Sequence, residues 1–283
     1  MQNQQRRFKQ ILKIFNPKIN DLSIIENKKG WHEYLEREED FVINPKDLQA
    51  AISAMLGEVK NKPKGNMLFR FFRRYNFTVK WENKTPARVE EALERFILRT
   101  NSLDDIYNQI PIGGKKESID IGIEEDDSKF IFVELKSWES KEPPLYAILE
   151  SLKNLELYRV MLRERDEGSQ YRDIPEYKDV DLMVLAPLAY YQKYGLIYKG
   201  QEQDDRRIGR MQKLLNELSN AFNTKITLMF LQLEEQKFLE CCKSVFDKRK
   251  PTRPEDLPVI CLRKSDAIPE LKRDLWKPAI ASG

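Results

Sequence analysis

The sequence predicts an α/β protein, a mixed central sheet flanked by helices and preceded by a helical, basic extension. Three observations carry this. From residue 85 the apolar patterning runs helix, β-hairpin, helix, strand, helix, strand. The 283 residues, 34% charged and 41% hydrophobic, suit a globular chain with a substantial core. Charge is unevenly spread: residues 1–80 carry 16 Lys and Arg against 9 Asp and Glu, and the remainder is net acidic. The chain therefore divides into 1–80, a basic helical region; 81–235, the α/β core; and 236–283, a helix and strand extension.

Residues 1–58 read as helical, with apolar positions at Phe8, Ile11, Leu12 and Phe15 and a helix start at Asn44-Pro45. From Lys60 to Lys80 there is no acid, and Arg70, Arg73 and Arg74 are interleaved with Phe69, Phe71, Phe72, Tyr75 and Phe77. Two readings stand. The cations can hold phosphates while the aromatics stack on bases, which makes Arg70, Arg73 and Arg74 candidates for nucleic-acid contact. Alternatively, this is a short helix capped at Asn66 with aromatics in the core and arginines in water.

Thr85-Pro86 is expected to cap a helix whose stripe is Val89, Ala92, Leu93, Phe96 and Ile97. Glu90 lies at the edge of that stripe, leaning towards the sheet or exposed, and Glu91 points to water. Residues 105–112 form a short strand entering a Gly113-Gly114 turn. A long helix follows Pro143-Pro144, from Leu145 to about Glu164. A strand is expected at 180–187, a helix at about 205–222 and a strand at 224–233. A further helix, a short strand over LPVICLRK and a tail without a motif complete the chain.

The chemistry centres on residues 118–138, SIDIGIEEDDSKFIFVELKSW. Two apolar runs flank a polar break and read as a β-hairpin. The second run is apolar on both faces, which predicts a central strand covered on both sides. Asp120, Glu134 and Lys136 interrupt these runs, and such charges are costly in a strand unless paired or bound to metal. Glu134 and Lys136 share a face. A turn centred on Asp127 places Asp120 opposite Glu134, whereas a turn between Asp126 and Asp127 places it on the wrong face. A plain cross-strand ion pair is the competing explanation.

Composition narrows the chemistry. His32 is the only histidine, so a multi-histidine zinc site is excluded, and Cys241, Cys242 and Cys261 lack zinc-like spacing. Carboxylates, lysines and a hard, oxygen-seeking cation remain. The N-terminus lacks the apolar region of a signal peptide and no run is long enough to span a bilayer, so a cytoplasmic protein without a membrane partner is expected.

A helix bearing Glu90, a hairpin reading D-x13-E-x-K from Asp120 to Glu134-Leu135-Lys136, then a helix and a strand, resembles the PD-(D/E)xK nuclease superfamily. Asn154-Leu155-Glu156-Leu157-Tyr158 is similar to the Q-L-x-x-Y helix signature of its RecB- and Cas4-like branch, with Asn for Gln. The resemblance implies a restriction-endonuclease-like core and a metal-dependent nuclease, with DNA the favoured substrate. Asp120, Glu134 and Lys136 would be catalytic. Asp120, Glu134, the Leu135 carbonyl and Glu90 would hold Mg²⁺ or Mn²⁺. Lys153 and Tyr158 would contact phosphate or the flanking backbone. Lys136 would orient or deprotonate water, or offset transition-state charge. A silent nuclease-fold module binding nucleic acid or a protein partner is the alternative, and a homodimer stays open.

Overall fold

The computed structural model describes residues 28–36, 50, 81–82, 85–86, 88–100, 106–114, 117–163, 165, 174–196, 205–231, 235–246 and 276–281. Chain order is α1 (Lys28–Glu36), a ribbon of β1 (Trp81–Glu82) and β2 (Thr85–Pro86), α2 (Val89–Thr100), β3 (Ile106–Gly114), β4 (Glu117–Asp126) and β5 (Lys129–Leu135). It continues with α3 (Pro144–Arg163), β6 (Asp179–Pro187), α4 (Leu188–Lys193), α5 (Asp205–Phe222), β7 (Ile226–Leu231), α6 (Glu235–Phe246) and β8 (Trp276–Ala281). The sheet order is β3-β4-β5-β6-β7, with β8 added at the β7 edge. β3, β4 and β5 are antiparallel neighbours, β5–β6 and β6–β7 are parallel, and β8 runs antiparallel to β7. Parallel neighbours need a long return connection, which α3 and the α4–α5 segment supply.

Two apolar layers sandwich the sheet. Phe130 and Phe132 of β5 join α3, α4 and α5 on one side, while Ile131, Val133 and Leu135 join α2 and Phe238 of α6 on the other. The expectation of a central strand covered on both faces holds. α3 is buried along most of its length and packs on β5 and β6.

The hairpin takes one of the two registers its turn allows, with a ladder that ends one pair short of Asp120 and Glu134. At the tip Asp126 pairs with Lys129, and the Asp126 carboxylate accepts the Ser128 N–H and hydroxyl, both at 2.8 Å. A bulge at 125 then shifts the pairing to Glu124↔Phe130 and onward to Ile121↔Val133. This is the register of a turn centred on Asp127.

A second irregularity lies in β3. Gln109 has φ of +48°. Ile106 packs on the α2 side, whereas Ile110 and Ile112 pack on the α3 side. Strict alternation would keep these three on one face, so the left-handed residue reverses the strand. β4 reverses with it: Ile119 belongs to the α3 layer, Ile121 and Ile123 to the α2 layer. Asp120 sits at the reversal.

Several expectations need correction. Thr85-Pro86 does not cap α2; those residues pair with Trp81–Glu82, and the helix starts at Val89. Proline's fixed φ is compatible with such an extended edge position. The tail read as motif-free contains β8, and α4 immediately after β6 was not anticipated. α1 lies within the segment read as helical and is docked on the core: Trp31 is fully buried and its indole N–H donates to the Tyr194 carbonyl at 2.8 Å. Arg70, Arg73, Arg74 and the strand expected over LPVICLRK lie outside the described residues. Among the described residues no helix is long and apolar enough to cross a membrane.

Gly122 tests the layer packing. A Cβ there would meet Ile110 and would lie 2.5 Å from Phe130 Cζ. Gly122→Ala is expected to lower stability by about 1–3 kcal/mol, read as a lower urea midpoint at unchanged slope. An unchanged midpoint would contradict the tight β4 packing.

Candidate active site

The site forms where β4 and β5 part. Their ladder ends at Ile121↔Val133, while β5 stays paired with β6 through Leu135↔Leu185. The Asp120 carboxylate takes the place of the missing ladder bond, accepting the Leu135 N–H at 2.9 Å. A charged acceptor on a backbone N–H is a strong bond, and it anchors Asp120 at the mouth of the gap.

Lys136 stands at the centre. Its ammonium is 4% exposed as a residue and lies 3.0 Å from Glu134, 3.0 Å from Glu142 and 3.1 Å from Glu150. It also sits 5.7 Å from the Tyr146 ring centroid. β5, the loop after it and α3 each contribute a carboxylate. Burial alone would depress the lysine pKa, but Glu150, Glu134 and Glu142 outweigh it and hold the group well above its ordinary value. Lys136 is therefore a fixed positive charge.

The carboxylates respond in different directions. Burial pushes Asp120 up to about 7, against the pull of the Leu135 N–H and Lys136. Burial also raises Glu134 well above the usual range, with Asp120 and Glu150 adding to the effect. Glu142 is raised by burial too. Burial opposes the charge on Glu150, but Lys136 and then Lys153 hold its carboxyl below the ordinary range.

On the α2 side lies a cavity of 530 Å³ lined by Glu90, Glu94, Asp120, Leu135, Ser137 and Ser140, among others. Glu90 does lean to the sheet: it accepts the Ser137 N–H at 3.2 Å and the Ser137 hydroxyl at 3.4 Å. Glu91 instead pairs with Arg95 and Arg88 along its own helix. Glu94, only 3% exposed, is held by the Asn108 amide at 2.7 Å and the Gln109 amide at 2.7 Å. Consecutive strand residues normally point to opposite faces; the left-handed Gln109 lets both reach one carboxylate. Burial and the neighbouring Asp120 push Glu94 up to about 8.

The structure thus gathers Asp120, Glu134, Lys136, Leu135 and Glu90 into one region, with Lys153 at its edge. Tyr158 does not belong to it. It is 1% exposed, stacks edge-on with Phe132, and its hydroxyl donates to the Pro175 carbonyl while accepting the Tyr177 N–H. A hydroxyl committed to the backbone inside the core is not placed to contact phosphate. Asn154 is also buried, and its side-chain carbonyl lacks a hydrogen-bond partner.

Glu94, Glu142 and Glu150 escaped the sequence reading. Glu94 is one turn beyond Glu90 on the same edge of α2, which was a usable signal. Nothing local marks Glu142. It is held because Tyr190 donates to its carbonyl at 2.8 Å and Tyr194 and Lys193 both donate to the Ser140 carbonyl.

The donor set is entirely oxygen: carboxylates and one carbonyl. Such ligands, crowded enough to raise one another's pKa, suit a hard divalent cation. Among the described residues no three His, Cys, Asp or Glu side chains already converge as a metal cage. No family model, curated protein or solved structure matches the chain.

Glu94 yields a pH prediction for the metal-free protein. Its folded pKa of about 8 exceeds the ordinary 4.5, so its contribution to stability is fully present below pH 4.5 and is lost as pH rises to about 8. Glu94→Gln is expected to flatten the fall in unfolding free energy between pH 5 and 8. The check is urea denaturation at several pH values; curves of equal slope would refute the assignment.

Proposed function

We propose that the chain is a metal-dependent nuclease that hydrolyses phosphodiester bonds, with DNA the favoured substrate and a restriction-endonuclease-like core of the PD-(D/E)xK type. The observation that carries this is the meeting of Asp120, Glu134 and Lys136 where β4 and β5 separate, beside a cavity lined by further acids. Buried charge of this density in the middle of a sheet is costly, and such perturbed groups beside a cavity mark a candidate reaction site.

Asp120, Glu134, Glu90 and the Leu135 carbonyl would hold Mg²⁺ or Mn²⁺. The ion would supply Lewis-acid stabilisation of the phosphoryl oxygens and a more acidic water. Of the three roles open to Lys136, the structure favours the electrostatic one. Three carboxylates about 3 Å away hold the ammonium in place and favour its charged form, so it would offer positive charge to the developing phosphorane. Glu142 and Glu150 are positioning residues that fix the ammonium. Glu90 ties α2 to the Ser137 backbone and thereby sets one wall of the cavity.

The second reading is a nuclease-fold module that binds nucleic acid or a protein partner without cutting it. The observation on its side is that Glu134 is already paired with Lys136 at 3.0 Å, so each buried group has a counter-charge without a metal.

Labelled single- and double-stranded DNA incubated with Mn²⁺ or Mg²⁺ should be cleaved by the full chain. Glu134→Ala and Lys136→Ala, with circular dichroism showing the fold retained, should reduce the rate by about 100-fold or more. Calorimetry should show Mn²⁺ binding that is lost in Glu134→Ala. Absence of cleavage on any DNA or RNA, together with no Mn²⁺ heat, would reject the enzyme reading.

A further inference from the structure

The loop that carries Glu142 to Lys136 also leads to a cluster of opposite charge. Lys193, the last residue of α4, donates its ammonium to the Ser140 carbonyl at 2.6 Å and lies 5.3 Å from the Tyr194 ring centroid. Lys141 follows Ser140 in the loop, and Lys28 opens α1; both are exposed. Lys28 stands one turn before His32 on α1, whose ring lies against the Lys193 carbonyl, and after burial the charges of Lys28 and Lys141 depress the Lys193 pKa, so both lie within electrostatic reach of Lys193. Among the described residues no carboxylate pairs with any of the three.

Two more basic side chains converge on the same corner. His32 lies with Nε2 3.3 Å from the Lys193 carbonyl. Gly195, with φ of +74°, ends α4 so closely that an added Cβ would lie 3.1 Å from both His32 Cε1 and Arg207 Nη1. A side chain at 195 would therefore push apart the imidazole and the guanidinium that pack against Gly195.

Clustered ammonium groups repel one another and gain when an anion spans them. Their position identifies the anion. Ser140, the anchor of Lys193, lines the same cavity as Asp120, and only five residues separate Lys141 from Lys136. Five residues reach at most roughly 18 Å, a span of a few nucleotides at 3.4 Å rise per nucleotide of a strand.

We infer that Lys28, Lys141 and Lys193 form a subsite for the backbone phosphates of a nucleic-acid strand that flank the bond held at the Asp120–Lys136 site. The identity of the anion rests on the nuclease reading. The subsite gives α1 a role in substrate binding, through a docked helix instead of a detached basic arm. Recognition here is of phosphate charge and carries no base sequence.

The test is fluorescence anisotropy of labelled single-stranded and duplex oligonucleotides, DNA and RNA, with the full chain in EDTA so that nothing is cut. Lys141→Ala/Lys193→Ala and the triple variant with Lys28→Ala should weaken binding at least tenfold at low salt. They should also reduce the slope of log affinity against log salt by about 0.7–0.9 per lysine removed. Lys225→Ala, at the exposed residue before β7, serves as the control and should leave both quantities unchanged. An unaltered slope in the triple variant, an equal loss in Lys225→Ala, or no binding of any oligonucleotide by the wild type would each overturn the inference. The nuclease reading is judged separately by Mn²⁺ heat and its loss in Glu134→Ala. Metal binding and cleavage that persist while the lysine variants bind normally would sink the subsite alone.

Discussion

One ammonium group, that of Lys136, joins three separate parts of the chain through three carboxylates about 3 Å away. Glu134 comes from β5 itself, Glu142 from the loop that follows, and Glu150 from the second turn of α3. Removing one partner of a buried pair typically costs 3–5 kcal/mol because the remaining charge is left uncompensated. The dependence runs both ways here. Without the lysine, three acids would face one another in a poorly hydrated space; without the acids, the lysine would be a buried charge with no counter-charge. The path of the chain between β5 and α3 is thus tied to an electrostatic requirement, and tyrosines 190 and 194 brace that path from α4.

The neighbouring strands show how backbone irregularity builds a cavity. Gln109 in its left-handed conformation reverses β3, and β4 reverses at Asp120 beside it. A non-glycine residue in that conformation costs roughly 1–2 kcal/mol, and it persists here with the Gln109 side chain bonded to both Glu94 and Ser118. The gain is local access. With β4 and β5 no longer paired beyond Ile121 and Val133, the Asp120 carboxylate reaches the Leu135 N–H, and the α2 side opens into an acidic pocket. A regular ladder would have closed this space with main-chain bonds.

Acidic and basic regions therefore meet along one short loop. Residues 136–143 begin at the lysine held by carboxylates, pass Ser137 bonded to Glu90, and reach Ser140 and Lys141 beside Lys193. In the proposed nuclease such a juxtaposition would suit an anionic polymer: the acids would favour a cation at one phosphate, and the lysines would offset the charge of its neighbours. The arrangement brings α1, α4 and the loop after the hairpin together, although they are far apart in sequence.

The sequence by itself determined the α/β layering, the hairpin and the shared face of Glu134 and Lys136. These follow from short-range periodicity: alternation put Glu134 and Lys136 on one face, and the polar break located the turn. It also carried the position of Glu90 on α2. It did not reveal that a bulge at 125 selects the favourable register, since turn chemistry there allowed two. Tyr158 was misplaced because a helix buried on nearly every side lacks a polar face by which to orient it. Glu142, Glu150 and Lys193 became visible only in the tertiary structure. Their roles arise from contacts between segments brought together by parallel pairing of β5 with β6 and by the packing of α3 and α4, and no local spacing encodes those approaches.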